Sequence, residues 1–293
     1  MPVTDRQDQL RVRRAAVLGS PIAHSLSPVL HRAGYEALGR APQWQYDRFE
    51  VDEVGLPDFL GKLDVAGEGW AGLSLTMPLK RVVIRLLDEV SAGALAVDAV
   101  NTVVFHPDGR RTGDNTDVPG LVAALCERGV TRVRSAAVLG AGATASSALA
   151  ALAQLCDGPV LAFVRGPERA AQMRALGERL GVDVVPQEWD RAAEAFDAEL
   201  VVSTTPVGAT DFLADALSAA PREGLGALFD VLYHPWPTSL AAAWQQQGGV
   251  VLGGLDLLVH QAVLQFRMFT GLADADVVGA MRTAGEAALA AAH

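Results

Sequence analysis

The stretch V-L-G-A-G-A-T-A, from Val138 to Ala145, lies between an apolar run and an alanine-rich run. This order predicts a strand, a tight turn and a helix. Gly140 allows the tight turn, Gly142 lets backbone N–H groups approach a pyrophosphate, and the small Ala145 permits close packing of the helix on the strand. Alone, the spacing G-x-G-x-x-A is weak evidence, since alanine- and glycine-rich sequences produce it by chance.

Apolar runs of strand length recur from this motif toward the end of the chain and alternate with helical patterns. The predicted strands are Ala136–Leu139, Val160–Val164, Val182–Val185, Leu200–Ser203, Leu228–Val231 and Val250–Leu252. This alternation is typical of a parallel, Rossmann-like sheet. An apolar helix, G-G-L-D-L-L-V-H-Q-A-V-L-Q-F, follows the last strand, and the sequence leaves its place in that sheet open.

The N-terminal part of the chain shows the same alternation. The predicted strands are Ala15–Leu18, Trp44–Val51 and Gly72–Thr76, and the predicted helices are Pro28–Leu38, Leu56–Leu63 and one from about Leu79. Ala99–Phe105, with H-P-D-G-R-R after it, predicts a strand that enters a hairpin turn. We therefore expect two α/β domains, with the pattern starting again near Val118.

Composition narrows the class of protein. A chain of 293 residues, half of them hydrophobic, has room for two domains of roughly 100–200 residues each. Its 24 basic and 34 acidic residues give a net charge of −10, which argues against nucleic-acid binding. Cys126 and Cys156 lack metal-ligand spacing, so we predict buried, unpaired thiols, no metal site and a reducing cytoplasm.

Targeting segments are not predicted. The first 14 residues are polar and mixed in charge, so we expect a frayed leader and not a secretory signal. Charged residues, Gly or Pro interrupt every apolar stretch before the ~20 residues that a membrane span needs. We predict a protein that works without a membrane.

Two serines follow the first predicted strand, in G-S-P-I-A-H-S-L-S-P. Ser27 precedes Pro28 at a helix start, which favours a helix N-cap. Ser25 and Ser27 together, two residues apart, could instead bind a small oxyanion such as a carboxylate. The sequence leaves both interpretations open.

More polar groups follow other predicted strands. Lys80 begins a helix after a strand, where a lysine is usually only solvated. Asn101 and the segment G-D-N-T-D, which ends at Asp117, carry groups that turns could explain. In open α/β sheets, however, ligands sit beyond the carboxyl ends of strands. A Lys and an Asp in contact could manage the proton when a nicotinamide transfers hydride to a carbonyl.

Taken in order, these motifs resemble the shikimate dehydrogenase family from Val17 to about Gly271. G-S-P-I-A-H-S-L-S-P is similar to its substrate-binding segment, L-T-M-P-L-K to its catalytic-lysine segment and G-D-N-T-D to its catalytic-aspartate segment. The resemblance implies Lys80 and Asp117 as the catalytic pair. It also implies a set of substrate-binding residues: Ser25, Ser27, Thr76, Asn101, Tyr233 and Gln261.

The resemblance further implies NADP as cofactor, held by a second set of residues: Gly140, Ala141, Gly142, Ala143, Thr144, Arg165, Arg169, Thr204, Val231 and Gly254. The two arginines would clamp the 2′-phosphate. Val164 and Gly166 stand where the family usually has asparagine and threonine, and Leu257 stands where methionine is frequent. An apolar exchange of similar volume is tolerated at that last position.

The implied architecture has a substrate-binding domain of residues 1–117 plus 255–293, to which the C-terminal helix returns, and a Rossmann-like NADP-binding domain of residues 118–254. The implied activity interconverts 3-dehydroshikimate and shikimate, and a homodimer is a further expectation. Three alternatives remain: a quinate or NAD-using paralogue, a non-catalytic sensor of shikimate-like metabolites, and a folate-linked methylene dehydrogenase. The polar segments argue against the folate enzyme.

Overall fold

The computed structural model describes residues 12–291, which form two compact units. The first unit contains residues 12–116 and 259–291, and the second is Asp117–Leu258. Most of the predicted leader lies outside the described residues. Its last two residues, Arg13 and Arg14, already belong to the first strand.

The first unit is built on a six-stranded sheet. Its strands are β1 (Arg13–Gly19), β2 (Trp44–Glu50), β3 (Trp70–Leu75), β4 (Glu89–Val90), β5 (Thr102–Phe105) and β6 (Arg111–Asp114). The order is β2-β1-β3-β5-β6-β4. Strand β1 runs parallel to β2 and β3, whereas β5 runs antiparallel to β3 and β6. The predicted hairpin therefore makes this sheet mixed.

Short helices connect these strands. They are α1 (Ser27–Ala37), α2 (Leu56–Lys62), α3 (Val65–Glu68), α4 (Leu79–Val82) and α5 (Ala92–Ala96), with 3₁₀ turns at Ala41–Gln43 and Val83–Leu86. The core between sheet and helices includes the fully buried Leu18, Leu73 and Val103. Burial of such side chains contributes about 1.5–3 kcal/mol each.

The second unit contains a parallel six-stranded sheet. Its strands are β7 (Ala136–Leu139), β8 (Val160–Val164), β9 (Val184–Glu188), β10 (Leu200–Ser203), β11 (Ala227–Asp230) and β12 (Val251–Gly253). The order is β12-β11-β10-β7-β8-β9, and every pairing is parallel. Counted within the unit, this is the order 3-2-1-4-5-6 of Rossmann-type dinucleotide-binding folds, read from the opposite edge of the sheet.

The remaining helices follow in chain order. They are α6 (Asp117–Glu127), α7 (Ala143–Leu155), α8 (Pro167–Leu180), α9 (Asp211–Ala219), α10 (Ser239–Gln246), α11 (Gly254–Thr270) and α12 (Val278–Ala290), with a 3₁₀ helix at Trp189–Asp197. The boundary between the units falls inside α11. No helix within residues 12–291 is both long and apolar enough to cross a bilayer.

Two sequence predictions need correction. The strand predicted at Val182–Val185 starts at Val184, because Gly181 ends α8 with a φ of +69° and the Val182 N–H bonds back to Gly177. Both cysteines are free, as predicted, but Cys126 is exposed and Cys156 is half-buried. The buried residues of α6 recur every three or four positions up to Leu125, so Cys126 falls on the outer face.

Candidate active site

Two loops of the first unit meet beyond the carboxyl ends of β1 and β3. The Ser20 N–H donates to the Met77 carbonyl at 3.0 Å, and the Thr76 N–H donates to the Leu18 carbonyl at 2.9 Å. A Cβ atom at Gly19 would overlap Thr76 and lie 2.9 Å from the Met77 carbonyl oxygen. Glycine is therefore required at this crossing, which brings Thr76 beside the loop that carries the two serines.

The two serines do not cap α1 in the predicted way. The helix begins at Ser27 and its N-cap position is Leu26, with no side-chain cap. Ser25 Oγ accepts a hydrogen bond from the Ser27 N–H at 3.4 Å. Ser27 is buried, and its side chain lies near enough to the Tyr46 hydroxyl to lower the pKa of Tyr46, against the larger effect of burial. The N-cap interpretation of Ser27 is wrong, because Ser27 is already the first residue of the helix and Leu26 holds the N-cap position.

The antiparallel direction of β5 brings Asn101 to this same edge. The Leu75 N–H donates to the Asn101 carbonyl at 2.8 Å, and the Val100 N–H donates to the Lys80 carbonyl at 2.8 Å. Asn101 Nδ2 donates to Thr116 Oγ1 at 3.0 Å, and the Thr116 N–H donates to Asn101 Oδ1 at 2.8 Å. The backbones that carry Lys80, Asn101 and Thr116 are thus tied together.

The structure therefore gathers one group of predicted residues within the first unit: Ser25, Ser27, Thr76, Lys80 and Asn101. Lys80 is half-buried on α4. Asp117 directly follows Thr116, is buried, and starts α6 as the first residue of the second unit. Gln261 is buried on α11, one turn before Gln265, which contacts β3 and the start of β5.

Sequence reasoning missed several buried polar residues beside this group. They are His31, Tyr46, Ser74 and Gln265. Tyr46 Oη donates to Ser74 Oγ at 2.6 Å, and Ser74 Oγ donates to Gln265 Oε1 at 2.6 Å. One available signal was the spacing of Gln265, which lies four residues after Gln261 on an apolar helix and so faces the same side.

In the second unit, the glycine turn joins β7 to α7 at the point where the strand order reverses. Gly140 has a φ of +111°, and a Cβ atom there would lie 2.6 Å from Thr204 Oγ1. Thr204 in turn donates to the Leu139 carbonyl through both its N–H and its hydroxyl, each at 2.9 Å. Gly142 precedes α7 and faces open space. This geometry fits a pyrophosphate at the helix N-terminus.

The two predicted phosphate-binding arginines are exposed beyond β8. Arg169 Nη1 donates to the carbonyl of Ala141, in the glycine turn, at 3.3 Å. The Arg165 guanidinium lies 5.2 Å from the centre of the Trp189 ring. Gly166 between them has a φ of +82°, a conformation that glycine adopts at little cost. The glycine that departs from the family pattern therefore suits this backbone.

A third segment, D-V-L-Y at the end of β11, packs against the start of α11. The Gly254 N–H donates to the Leu232 carbonyl at 3.0 Å, and a Cβ atom at Gly254 would overlap the Val231 carbonyl. The buried Asp230 accepts from Thr238 Oγ1 at 2.8 Å and from the Leu232 N–H at 3.2 Å. Burial raises the pKa of Asp230 and also that of Tyr233, while both hydrogen bonds oppose the shift at Asp230.

No cluster of three or more histidine, cysteine, aspartate or glutamate side chains placed to hold a metal ion occurs within residues 12–291. Besides the carboxyl groups of Asp117 and Asp230, the groups at the two sheet edges are hydroxyls, amides, one lysine and exposed arginines. Such groups suit an oxyanion, a polyol and a phosphate.

Comparison with known proteins agrees with this geometry. The model of the shikimate dehydrogenase substrate binding domain matches residues 17–103, and that of the shikimate 5′-dehydrogenase C-terminal domain matches residues 254–284. The shikimate dehydrogenase (NADP(+)) of Oleidesulfovibrio alaskensis is 40% identical over 266 residues, which are 87% of this chain and 88% of the relative. The chain belongs to the shikimate dehydrogenase family.

Solved structures of this family share the fold. Shikimate 5-dehydrogenase of Thermus thermophilus, in complex with NADP(H) and shikimate, has a TM-score of 0.78 at 36% identity, covering 95% of this chain and 100% of that chain. Quinate dehydrogenase of Corynebacterium glutamicum, in complex with NAD, has a TM-score of 0.79 at 29% identity, with coverages of 94% and 99%. The predicted family, α/β fold class and oxidoreductase class are confirmed.

Proposed function

We propose that this protein is an NADP-dependent shikimate dehydrogenase that reversibly reduces 3-dehydroshikimate to shikimate. The observation that carries the proposal is the convergence of Ser27, Thr76, Lys80 and Asn101 at one sheet edge of the first unit. Family membership and the NADP(+) in the relatives' names give the substrate and cofactor.

The first unit supplies most of the groups that a hydroxylated cyclohexene carboxylate requires. Ser25 and Ser27 hold the carboxylate, and Thr76, Asn101 and Gln261 hold ring hydroxyls. Tyr233, from the segment after β11, completes the substrate-binding set. In this proposal residues 1–117 and 255–293 form the substrate-binding domain, and residues 118–254 bind the cofactor.

Lys80 and Asp117 form the proposed catalytic pair. Bound NADPH supplies the hydride that reaches the carbonyl carbon. The Lys80 ammonium donates the proton that the carbonyl oxygen takes up, and it accepts that proton back in the reverse direction. In this proposal the Asp117 carboxylate accepts a hydrogen bond from the ammonium and orients it. General acid catalysis by such a group contributes about 10²–10⁴ in rate.

The second unit supplies the groups for the cofactor. The turn from Gly140 to Thr144 offers backbone N–H groups to the pyrophosphate, and Gly142 leaves room for it. Arg165 and Arg169 bind the 2′-phosphate that distinguishes NADP from NAD. The segments carrying Thr204, Val231 and Gly254 lie at the carboxyl ends of β10, β11 and β12. We also propose a cytoplasmic homodimer.

Replacement of Lys80 tests the catalytic part of this proposal. Lys80→Ala should lower kcat by at least about 100-fold, because the proton donor is lost, while the Kd for shikimate changes only a few-fold. Steady-state kinetics and isothermal titration calorimetry measure the two effects.

A matched control is Lys62→Ala. Lys62 is an exposed helical lysine that pairs with Asp58 at 2.6 Å, and its loss should leave both kcat and Kd unchanged. A Lys80→Ala protein with near-normal kcat would remove Lys80 from the mechanism. An unchanged chain that binds shikimate without turnover would instead support the sensor alternative.

A further inference from the structure

A continuous chain of buried hydrogen bonds crosses the first unit, and the proposed chemistry does not use its middle part. It starts at Tyr46, whose hydroxyl donates to Ser74 Oγ at 2.6 Å. Ser74 Oγ donates to Gln265 Oε1 at 2.6 Å, and Gln265 Nε2 donates to Thr102 Oγ1 at 3.1 Å. Thr102 Oγ1 then donates to Asn101 Oδ1 at 2.8 Å.

These hydrogen bonds all point the same way. Starting at Tyr46, each side chain donates a hydrogen bond to the next one in the series, which ends at Asn101. Ser74, Gln265 and Thr102, in the middle, each accept one bond and donate another. Hydrogen bonds in such a series strengthen one another cooperatively. The side chains are at most 3% exposed, so water cannot replace a lost partner.

The two ends of this chain of hydrogen bonds lie at the proposed substrate site. At one end, the Tyr46 hydroxyl lies near the side chain of Ser27. At the other end, Asn101 Oδ1 accepts from Thr102 Oγ1, and Asn101 Nδ2 donates to Thr116 Oγ1 at 3.0 Å. Asn101 Oδ1 also accepts from the Thr116 N–H at 2.8 Å, so the Thr102 hydroxyl and this backbone donor together specify which end of the Asn101 amide carries the oxygen. A flipped amide would set Nδ2 against the Thr116 N–H, donor against donor, and would lose the bond that the Thr102 hydroxyl donates.

We propose that Gln265 is a positioning residue, which acts through the Thr102 hydroxyl, alongside the Thr116 N–H, to hold the Asn101 amide in its orientation toward the substrate's ring hydroxyls. Gln265 also donates to the Asn101 carbonyl at 3.2 Å, so it holds both the side chain and the backbone of this residue. This inference rests on the proposed function, because it gives Asn101 the role of a substrate ligand.

Two substitutions test the proposal. Gln265→Leu removes the amide, and Thr102→Val removes only the hydroxyl that links Gln265 to Asn101 while keeping a β-branched shape suited to a strand. Each should raise the KM for shikimate roughly 3- to 10-fold, the effect of about one hydrogen bond. The KM for NADP should stay within about 2-fold, since the second unit is unchanged.

The double variant distinguishes positioning from loss of packing. Both changes act through one amide, so Gln265→Leu combined with Thr102→Val should raise the KM no further than the larger single effect. In an Asn101→Ala background, Gln265→Leu should leave the KM unchanged. Independent effects that multiply, or a persistent Gln265→Leu effect without the Asn101 amide, would overturn the proposal.

Gln247→Leu is the matched control. Gln247 also accepts and donates through its amide, from the Arg222 N–H at 2.8 Å and to the Leu217 carbonyl at 2.7 Å, but it lies in the second unit. Its loss should lower the melting temperature without changing the KM for shikimate. If Gln265→Leu does not fold, the KM for shikimate of Thr102→Val alone tests the proposal.

The outcomes separate this inference from the proposed function. If the unchanged protein does not oxidise shikimate, the proposed function fails before the variants are compared. If the unchanged protein is active while folded Thr102→Val and Gln265→Leu retain its KM, only the positioning role of Gln265 is overturned.

Discussion

His31 shows how burial alone sets the chemistry of one side chain. Its ring is fully buried and stacks on Tyr46, with ring centres 3.9 Å apart and planes 12° from parallel. Neither ring nitrogen has a hydrogen-bond partner among the described residues. Burial lowers the pKa of His31 to about 3, and the nearby Gln265 amide opposes this shift. The imidazole is therefore neutral at physiological pH.

This predicts a loss of stability in acid. The unfolded chain binds a proton at His31 below pH 6.5, whereas the folded chain does so only below about 3. Stability should therefore fall as the pH drops through this window, by up to about 1.4 kcal/mol per pH unit from this group. Urea unfolding of the unchanged protein and of His31→Phe, which lacks the proton site, measures the difference. Equal pH slopes for the two proteins would contradict the prediction.

Two glycines in the turn between β7 and α7 allow effects on packing and on ligand binding to be tested separately. Gly140→Ala places a Cβ atom 2.6 Å from Thr204 Oγ1 on a backbone with a φ of +111°, so it should destabilise the second unit by about 1–3 kcal/mol. Gly142→Ala meets no atom within 4 Å, so it should keep the melting temperature but weaken NADP binding. Thermal melts and fluorescence titration with NADPH check both. Full-strength NADPH binding by Gly142→Ala would place the pyrophosphate elsewhere.

At the residue scale, some site residues were predictable and others were not. Lys80 and Asn101 stand next to strand ends, where polar groups are conspicuous in the sequence. Gln265 contacts Asn101 across 164 residues of chain, and this pairing depends on the tertiary fold. The N-cap prediction for Ser27 was wrong because the helix starts one residue earlier than predicted, which makes Ser27 its first residue and Leu26 its N-cap.

At the scale of elements, Asp230 connects β11 to α10. Its carboxyl group accepts from Thr238, the residue that also caps α10 through a bond to the Ala241 N–H at 3.2 Å. The same carboxyl group accepts from the Leu232 N–H. One side chain thus holds the D-V-L-Y segment in place.

Removal of this carboxyl group should loosen the segment. Asp230→Ala leaves the buried Thr238 hydroxyl and the half-buried Leu232 N–H without their acceptor and should lower the free energy of unfolding by about 1–3 kcal/mol, with a raised KM for NADP. Asp230→Asn should cost less, because burial already raises the pKa of this carboxyl group and an amide keeps an acceptor. Chemical denaturation checks the order, with exposed Asp215→Ala as the neutral control. Equal losses in the free energy of unfolding for the Ala and Asn variants would refute the role of Asp230 as a hydrogen-bond acceptor.

Strands buried on both faces were the easiest elements to predict. Ala136–Leu139, Val160–Val164 and Leu200–Ser203 match the structure residue for residue, because each is a short apolar run between polar segments. Strand β4 has only two residues and is half-exposed, so it carries no periodic signal. It pairs in parallel with β6, the second strand of the β5–β6 hairpin, which follows it in the chain.

At the scale of the whole molecule, the sequence predicted two α/β parts but not the strand order within either sheet. The second unit has six parallel strands in the order of dinucleotide-binding folds, with the glycine turn at the reversal point. In the first unit, the β5–β6 hairpin turns Asn101 and Thr116 to the edge where Lys80 lies. The antiparallel pairing of β5 with β3 thus contributes to the site as much as any single residue.

The substrate and cofactor are tested most directly by the initial rates of the purified full chain. Shikimate and quinate are each combined with NADP⁺ and NAD⁺, and reduced nicotinamide is followed by absorbance. We predict fast turnover with shikimate and NADP⁺, and slow or no turnover in the other three combinations. Preferred turnover of quinate, or of shikimate with NAD⁺, would contradict the roles given to Ser25, Ser27, Arg165 and Arg169.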